Sequence, residues 1–284
     1  MLLGFNMLLW TPSVGEEHFS HFAKIKAAGY DGVELPVFGG TPEEFAKVGQ
    51  ALKDEGLRST AVAVIPDAEH DCTSSDAKVR AAGLAHLKWA IDCVEAAGGE
   101  VLCGPFYQPL GVFSGDGPTA DELAGIVEVH KDASRYAAPK NVKVSVEPLN
   151  RFECYALNTV GDATAVVKAV GEPNYGLLYD TFHANIEEKD PVGVIGPALS
   201  AGAINHVHTS ENDRGTPGKG HVPWTETFAA LKAGNYDSWH VIEAFGRSLP
   251  EIAEATRVWR DFFPSPDEVV TFGHDFLRKT HADA

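Results

Sequence analysis

The sequence predicts one (β/α)8 barrel that spans residues 1–284, and three features of the chain indicate this fold class. Eight short apolar or β-branched runs alternate with longer segments of helical periodicity. Glycines recur at the join between a predicted helix and the strand that follows it. The length of 284 residues accommodates a single barrel of this kind, with no linker segment interrupting it.

The predicted strands are, in order, Leu2–Trp10, Gly32–Phe38, Ser59–Ile65, Glu100–Tyr107, Val142–Leu149, Gly176–Phe182, Ala203–Thr209 and Trp239–Phe245. Strands that are joined by helices run parallel, and right-handed crossovers close eight such units into a barrel. The loops that follow the strands then share the C-terminal face, where barrel enzymes carry their active sites. The Pro- and Gly-rich segments Gly104–Pro118 and Asn212–Pro223 are predicted to be two of these loops.

The helix boundaries are also marked in the sequence. Capping-box spacing occurs at Ser13-x-x-Glu16, Thr41-x-x-Glu44, Thr119-x-x-Glu122 and Ser248-x-x-Glu251. Left-handed C-caps are predicted at Gly29, Gly56, Gly98, Gly171, Gly202 and Gly234, where glycine adopts a positive φ without steric cost. One long helix, Pro250–Lys279, is predicted near the end of the chain.

The composition argues against several classes of partner and site. The chain has 23 Lys and Arg against 40 Asp and Glu, a formal net charge of −17, so it is unsuited to binding nucleic acid. The apolar segment Met1–Trp10 has no basic flank or cleavage site and is shorter than the roughly 20 residues of a membrane span. The four cysteines have no C-x-x-C spacing, which indicates neither a zinc knuckle nor a disulfide framework. We therefore expect a cytoplasmic protein that binds neither nucleic acid nor membranes.

Acidic or imidazole side chains stand near the ends of four consecutive predicted strands. They are Glu147, Asp180, the pair His206 and His208, and Glu243. In a barrel these groups converge, and three carboxylates beside an imidazole are costly to bury unless a divalent cation lies between them. The sequence therefore predicts a metal site at the C-terminal face.

The chemistry of these side chains restricts the choice of metal ion. An oxygen-rich set with one imidazole and no thiolate favours Mn²⁺ or Mg²⁺, with Co²⁺ also acceptable. Residues i and i+2 of a strand share a face, so spacing alone does not decide between His206 and His208, although His208 is closer to the strand end. The role of Glu34 is open at this stage, because an acid at the end of a strand also serves as a helix-cap partner.

Four ordered motifs carry a family resemblance. They are Glu147–Glu153 (EPLNRFE), Asp180–Glu188 (DTFHANIEE), His206-Val207-His208 followed by Arg214, and Ile242–Phe245 (IEAF). Together they resemble the ketose 3-epimerases of the D-tagatose, D-allulose and L-ribulose type, within the xylose-isomerase-like barrel superfamily. The resemblance is strongest over Val142–Phe245.

The resemblance implies a role for each of seven residues. It implies that Glu147, Asp180, His208 and Glu243 bind one divalent metal ion, most commonly Mn²⁺, and that Glu147 and Glu243 also act as the acid and base. It implies that Glu153, His183 and Arg214 bind the carbonyl end of the substrate. Family members of this kind are homo-oligomers, so a homodimer or homotetramer is expected.

The resulting expectation is an isomerase that inverts C3 of an unphosphorylated ketose through an enediolate. The proton at C3 is α to the carbonyl, and two carboxylates on opposite faces of the sugar can exchange it. Three ionised carboxylates around one divalent ion leave a net charge near −1, which favours a neutral sugar over a sugar phosphate. Three alternatives remain at this stage: a sugar or inosose isomerase or dehydratase on the same barrel, a metal-dependent endonuclease, and a non-catalytic sugar-binding protein.

Overall fold

The computed structural model describes all 284 residues and contains a closed barrel of eight parallel strands in chain order. The strands are β1 (Leu2–Asn6), β2 (Gly32–Pro36), β3 (Arg58–Val62), β4 (Val101–Gly104), β5 (Lys143–Val146), β6 (Tyr175–Asp180), β7 (Ile204–His208) and β8 (Trp239–Ile242). β8 pairs with β1 in parallel, which closes the barrel. The predicted (β/α)8 fold class is confirmed.

Ten α-helices connect and surround the strands. They are α1 (Phe19–Ala27), α2 (Pro42–Asp54), α3 (Ala77–Ala96), α4 (Ala120–Ala137), α5 (Val160–Val170), α6 (Thr181–Glu187), α7 (Ile195–Ser200), α8 (Trp224–Ala233), α9 (Pro250–Thr256) and α10 (Pro266–Asp283). None of these helices combines the length and the apolar character needed to cross a membrane. The segments 104–118 and 212–223 follow β4 and β7, so both lie at the C-terminal face as predicted.

Most predicted strands extend too far at their C-terminal ends. The first strand ends at Asn6, whose side chain accepts from the Leu8 amide and caps a short 3-10 helix over Met7–Leu9. The fifth ends at Val146, two residues before Pro148, which has no amide hydrogen to donate to a neighbouring strand. The apolar runs therefore continue into buried loops, and apolarity alone does not show where strand pairing stops.

Two of the four predicted capping boxes are present. Thr41 and Thr119 each cap a helix, and the glutamate three residues later bonds back to the cap amide. Ser13 caps no helix, because the following 3-10 turn begins after Gly15. The prediction at Ser248 is also wrong: α9 begins at Pro250 after Leu249, which makes no side-chain cap hydrogen bond.

The predicted ends of two helices also need correction. Gly234 has φ −85°, and the left-handed position is instead Asn235 with φ 58°, whereas the other five predicted C-cap glycines have positive φ. The single helix predicted over Pro250–Lys279 is two helices, α9 and α10. Arg257 adopts a left-handed conformation that ends α9, and Pro264 and Pro266 then favour an extended connection before α10.

The core has two layers, one inside the barrel and one between the barrel and the helices. Trp239, which begins β8, is buried within the inner layer and fills the N-terminal end of the barrel interior. A Cβ on Gly32 of β2 would clash with the Arg58 carbonyl oxygen and lie 2.7 Å from Trp239 Cη2, so this position needs glycine. This packing closes the N-terminal end and leaves the polar groups at the opposite end.

Candidate active site

Four side chains from consecutive strand ends meet at the C-terminal end of the barrel interior. Asp180 and His208 are the last residues of β6 and β7, and Glu147 and Glu243 directly follow β5 and β8. Each is at most 4% exposed. One ligand atom from each of the four residues lies within 4.8 Å of those of the others. His208 Nδ1 is 3.9 Å from Glu147 Oε1, 3.9 Å from Asp180 Oδ2 and 3.6 Å from Glu243 Oε2.

The chemistry of this four-residue cluster fits a divalent cation. Glu147 Oε1 and His208 Nδ1 are buried and have no hydrogen-bond partner. Buried polar atoms in proteins are nearly always paired, so two orphaned acceptors that face each other point to a ligand between them. Three carboxylates and one imidazole form an oxygen-rich donor set, which suits a hard ion better than structural zinc.

Arg214 also reaches the cluster. Its Nη1 donates to Asp180 Oδ2 at 2.9 Å and to Glu243 Oε2 at 2.6 Å. Its guanidinium carbon lies 3.8 Å from the ring centre of Phe182 and 4.9 Å from that of Phe245. The guanidinium is therefore held by two carboxylates and by two aromatic rings.

The loop that carries Arg214 is organised by a buried carboxylate, Glu211. Its Oε1 accepts from the backbone amides of Asn212 and Val222, and its Oε2 accepts from the Gly218 amide and from Trp224 Nε1. These bonds tie the start of the loop to its end at α8. Arg214 has φ 65°, a left-handed conformation that is uncommon for arginine and is fixed by this surrounding structure.

His183 and Glu153 lie at the edge of the cluster and share one partner, Asn150. The Asn150 amide donates to His183 Nδ1 at 3.0 Å, and Asn150 Nδ2 donates to Glu153 Oε1 at 2.7 Å. His183 Nε2 lies 2.9 Å from Arg214 Nη2, which can only donate, so both ring nitrogens of this imidazole face N–H donors. That Nε2 lies 3.6 Å from Glu147 Oε1. The polar tip of His183 therefore faces the same space as the carboxylates.

Burial and charge shift the pKa values of these groups in different directions. Burial, which outweighs the attraction of His208, raises the pKa of Glu147 well above its usual value. Burial also opposes ionisation of Glu243, but the charges of His208 and Arg214 prevail and its pKa is lowered. Burial, reinforced by Arg214, lowers the pKa of His183 well below the ordinary value of histidine, which keeps the imidazole neutral.

The two histidines of β7 occupy different positions. His208 presents Nδ1 to the cluster, whereas His206 lies deeper and its Nε2 bonds to Glu34 Oε2 at 2.9 Å. Both imidazoles are fully buried. The structure therefore places His208, and not His206, among the four convergent groups.

A cavity of about 460 Å³ opens above the cluster. Glu147, Glu153, His183, Arg214 and Glu243 form its polar side. Leu8, Phe38, Val62, Leu110, Phe245 and Ile252 are among the apolar residues on its other walls. Arg214 is the only Lys or Arg that lines this cavity. A small polar molecule that enters this cavity therefore meets carboxylate, imidazole and guanidinium groups on one side and apolar side chains on the other.

Three site residues were not identified from the sequence. Asn6 donates to Glu34 Oε1 at 2.9 Å and to Glu243 Oε1 at 3.2 Å, Asn150 positions His183, and Phe182 packs on Arg214. Asn6 ends an apolar strand as Asp180 does, so the same signal could have identified it. Phe182 and Asn150 have no such signal, because their roles depend on contacts with other loops.

Comparison with known proteins places the chain among sugar epimerases. The family model described as xylose isomerase-like TIM barrel matches residues 22–278. A probable ketose 3-epimerase of Synechocystis sp. is 32% identical over 279 residues, which cover 98% of this chain and 96% of that protein. A ketose 3-epimerase of Arthrobacter globiformis is 31% identical over 98% of this chain and 96% of its own length. The crystal structure of D-allulose 3-epimerase from Methylomonas sp. in complex with D-allulose superposes with a TM-score of 0.91 and 29% identity, covering 99% of this chain and 97% of that one.

Proposed function

The chain belongs to the xylose isomerase-like TIM barrel family, and from this premise we propose that it is a metal-dependent ketose 3-epimerase acting on a free, unphosphorylated ketose. The relatives named above, which match almost the whole chain, are ketose 3-epimerases. The observation that carries the proposal is the convergence of Glu147, Asp180, His208 and Glu243 at the base of a cavity that a small sugar can enter.

Four residues are assigned to the metal ion: Glu147, Asp180, His208 and Glu243. The two unpartnered acceptor atoms, on Glu147 and His208, support this assignment. A divalent ion held there supplies Lewis acidity, which makes the hydrogen at C3 of a bound ketose easier to remove. Mn²⁺ is the ion we propose, because the donor set is oxygen-rich with a single imidazole.

Glu147 and Glu243 are assigned to proton transfer. They follow β5 and β8, so they approach the cavity from different sides of the barrel. One carboxylate takes the C3 proton to give an enediolate, and the other, in its acid form, donates a proton to the opposite face of C3. The roles are exchanged in the reverse direction. Each cycle leaves one proton exchanged and the configuration at C3 inverted.

Glu153, His183 and Arg214 are assigned to the carbonyl end of the sugar. His183 Nε2 lies 2.9 Å from Arg214 Nη2 and both side chains line the cavity, so the two can bind the same sugar oxygen. Arg214 offers further directed donors, and Glu153 accepts from a hydroxyl. Holding the sugar at several points keeps C3 aligned with the two carboxylates.

The charges that line the cavity support a neutral substrate. Glu147, Glu153 and Glu243 line it, whereas the only Lys or Arg is Arg214, which already bonds to Asp180 and Glu243. A sugar phosphate would bring two further negative charges without a free cation to receive them. We therefore assign unphosphorylated ketoses as substrates.

The test is deuterium exchange at C3. The Mn²⁺-loaded protein is incubated in D₂O with a panel of free ketoses, and NMR follows deuterium at C3 and the appearance of the C3 epimer. We expect exchange with at least one ketose, abolished by EDTA and restored by Mn²⁺. Glu147→Gln and Glu243→Gln are each expected to reduce the rate by at least about 10²-fold, since each removes a proton-transfer group.

A matched control is Glu43→Gln, an exposed glutamate on α2 that should leave exchange unchanged. Full activity in either Glu147→Gln or Glu243→Gln would refute the assigned chemistry. Deuterium at C1 or loss of water from the sugar, without C3 inversion, would instead support an isomerase or a dehydratase.

A homodimeric or homotetrameric assembly and a cytoplasmic location are further parts of this proposal. Light scattering of the purified protein measures the assembly. Cell fractionation of the source organism measures the location.

A further inference from the structure

A second buried layer of polar side chains lies directly beneath the four-residue cluster, and Glu34 is at its centre. The side chain of Glu34 lies in the barrel interior and is fully buried. Its Oε1 is 2.7 Å from His208 Nε2 and 2.9 Å from Asn6 Nδ2. Its Oε2 is 2.9 Å from His206 Nε2 and 2.9 Å from Thr60 Oγ1. The carboxylate is therefore surrounded by four donors from three different strands, β1, β3 and β7.

These contacts fix which nitrogen of His208 carries a proton. An ionised carboxylate only accepts hydrogen bonds, so the short contact with Glu34 places a proton on His208 Nε2. The other nitrogen, Nδ1, is buried, has no partner and faces the carboxylates of the cluster. A metal ligand needs a free lone pair, which this tautomer supplies at Nδ1.

The side chains around Glu34 do not form a second metal site. Glu34, Cys103, His206 and His208 lie close enough together to be considered as ligands. However, Glu34 is in direct hydrogen-bond contact with both imidazoles, at 2.7 and 2.9 Å, and Cys103 Sγ lies 3.2 Å from Glu34 Oε2. An ion between these atoms would need each of the hydrogen bonds to be broken and both Nε2 protons to be removed.

Glu34 is also too firmly held to act as a mobile group. Asn6, Thr60 and His206 each donate to it, so its oxygens stay in place when His208 binds a ligand. Asn6 additionally donates to Glu243 Oε1, which couples the buried layer to a second residue of the cluster. The buried layer around Glu34 thus orients two of the four cluster residues, His208 and Glu243.

We propose that Glu34 is a positioning residue that holds His208 as the Nε2-protonated tautomer, oriented with Nδ1 toward the cluster, and thereby sets the affinity for the metal ion. This inference rests on the metal site of the proposed function. Removal of a carboxylate that orients a ligating histidine typically lowers metal affinity by about 10- to 100-fold.

The first measurement is metal affinity in the absence of substrate. Mn²⁺ is titrated into the wild-type, Glu34→Gln and Glu34→Ala proteins in competition with a chelator of known affinity. We expect the Kd to rise about 10-fold in Glu34→Gln and up to about 100-fold in Glu34→Ala. A Kd for both variants within twofold of the wild-type value would overturn the proposal.

Glu100→Gln is the control. The Glu100 carboxylate also accepts from side-chain donors, those of Arg58 and Trp239, but it directly precedes β4 at the opposite end of the barrel and contacts none of the four cluster residues. Its replacement should leave the Mn²⁺ affinity near the wild-type value. An equal loss of affinity in Glu100→Gln would show that removal of any hydrogen-bonded carboxylate has this effect and would overturn a specific role for Glu34.

A second measurement uses the wild-type protein, so it does not depend on whether a variant folds. In the Mg²⁺-saturated wild-type protein, long-range ¹H–¹⁵N correlation spectra of the histidine rings report which nitrogen carries the proton. We expect the proton of His208 on Nε2, and a proton on Nδ1 would contradict the proposal. Glu147→Gln separates this inference from the proposed function: if it leaves Mn²⁺ affinity unchanged, the metal site itself is wrong, whatever Glu34 does.

Discussion

At the scale of single residues, Arg214 is held by aromatic contacts as well as by charged hydrogen bonds. Its guanidinium lies between Phe182 at 3.8 Å and Phe245 at 4.9 Å, and the side chain is 4% exposed. Cation–π contacts are worth about 2 kcal/mol when they are desolvated. These rings restrict the directions in which the guanidinium can point toward a bound sugar.

Phe182→Leu should therefore weaken substrate binding. Leucine fills part of the same space but has no aromatic face, so the guanidinium gains freedom and its hydrogen bonds to the sugar become less well directed. We expect kcat/KM to fall about 5- to 30-fold, mainly through a higher KM, which corresponds to about 1–2 kcal/mol. Steady-state kinetics with the best ketose of the panel measure this.

Phe152→Leu provides the comparison for this prediction. Phe152 adjoins Glu153 in the sequence but is 67% exposed, and its ring does not pack on the Arg214 guanidinium. Its replacement should change KM by less than twofold. Similar losses in both variants would show that general disturbance near the cavity, and not the ring on Arg214, is responsible.

The sequence identifies residues whose position follows from strand periodicity and misses those whose role depends on a distant partner. Asp180 and Glu243 are recognisable because each is an acid at the end of an apolar run. Glu34 satisfies the same criterion. Nothing in the local sequence shows that it faces His206 and His208, which are 172 and 174 positions later in the chain. Only barrel closure, which brings β2 opposite β7, reveals that contact.

At the scale of elements, helix starts differ in how strongly the local sequence specifies them. α2 begins with Thr41, whose Oγ1 accepts from the Glu44 amide, and the Glu44 carboxylate accepts from the Thr41 amide. Pro42 stands at the first helical position, where its fixed φ suits a helix. At Ser248 the same spacing occurs, but α9 begins at Pro250, one residue later than a Ser248 cap would give, so Leu249 and not the serine is the N-cap residue.

This difference predicts unequal effects of two alanine substitutions. Thr41→Ala removes a cap hydrogen bond and should lower the free energy of unfolding by about 1 kcal/mol. Ser248→Ala removes no cap and should change it by less than about 0.5 kcal/mol, the usual range for surface positions. Urea denaturation monitored by circular dichroism gives both values. A cost at Ser248 equal to that at Thr41 would show that the serine caps a helix in solution.

At the scale of the whole molecule, the alternation of strands and helices was sufficient to predict the barrel. Parallel strands joined by helices have few ways to close, so topology follows once eight units are recognised. The lengths of the βα loops and their conformations do not follow, because they depend on contacts such as those of Glu211 with Gly218 and Trp224. The sequence therefore predicted which strand ends form the site and did not predict how the loops complete it.

A buried histidine on the outer face of the barrel contributes to the response of the whole molecule to acid. His240 on β8 is fully buried and packs against the rings of Phe228, Tyr236 and His281. Burial lowers its pKa to about 3, and the nearby charges of His281, the Met1 amino group and His206 act in the same direction. Its Nδ1 bonds to the Ser238 carbonyl oxygen, while its Nε2 has no partner.

Acid should therefore destabilise the fold through His240. Between about pH 6.5, the pKa of an unfolded histidine, and about pH 3, the unfolded chain binds one more proton at this position than the folded chain. The free energy of unfolding consequently falls as the pH falls, by about 1.4 kcal/mol per pH unit once the pH is well below 6.5. His240→Phe, which keeps a ring in the same packing, should remove this contribution and make the dependence between pH 6 and pH 4 shallower, while buried His130, whose pKa burial lowers to about 4, keeps its own contribution. Urea denaturation of the wild-type and variant proteins over pH 4–8 gives the free energy of unfolding at each pH. At pH 8 the imidazole is neutral in both the folded and the unfolded chain, so any difference between the two proteins there reports packing alone. If the two proteins lose stability in parallel from pH 6 to pH 4, the buried imidazole is not the source of the acid sensitivity.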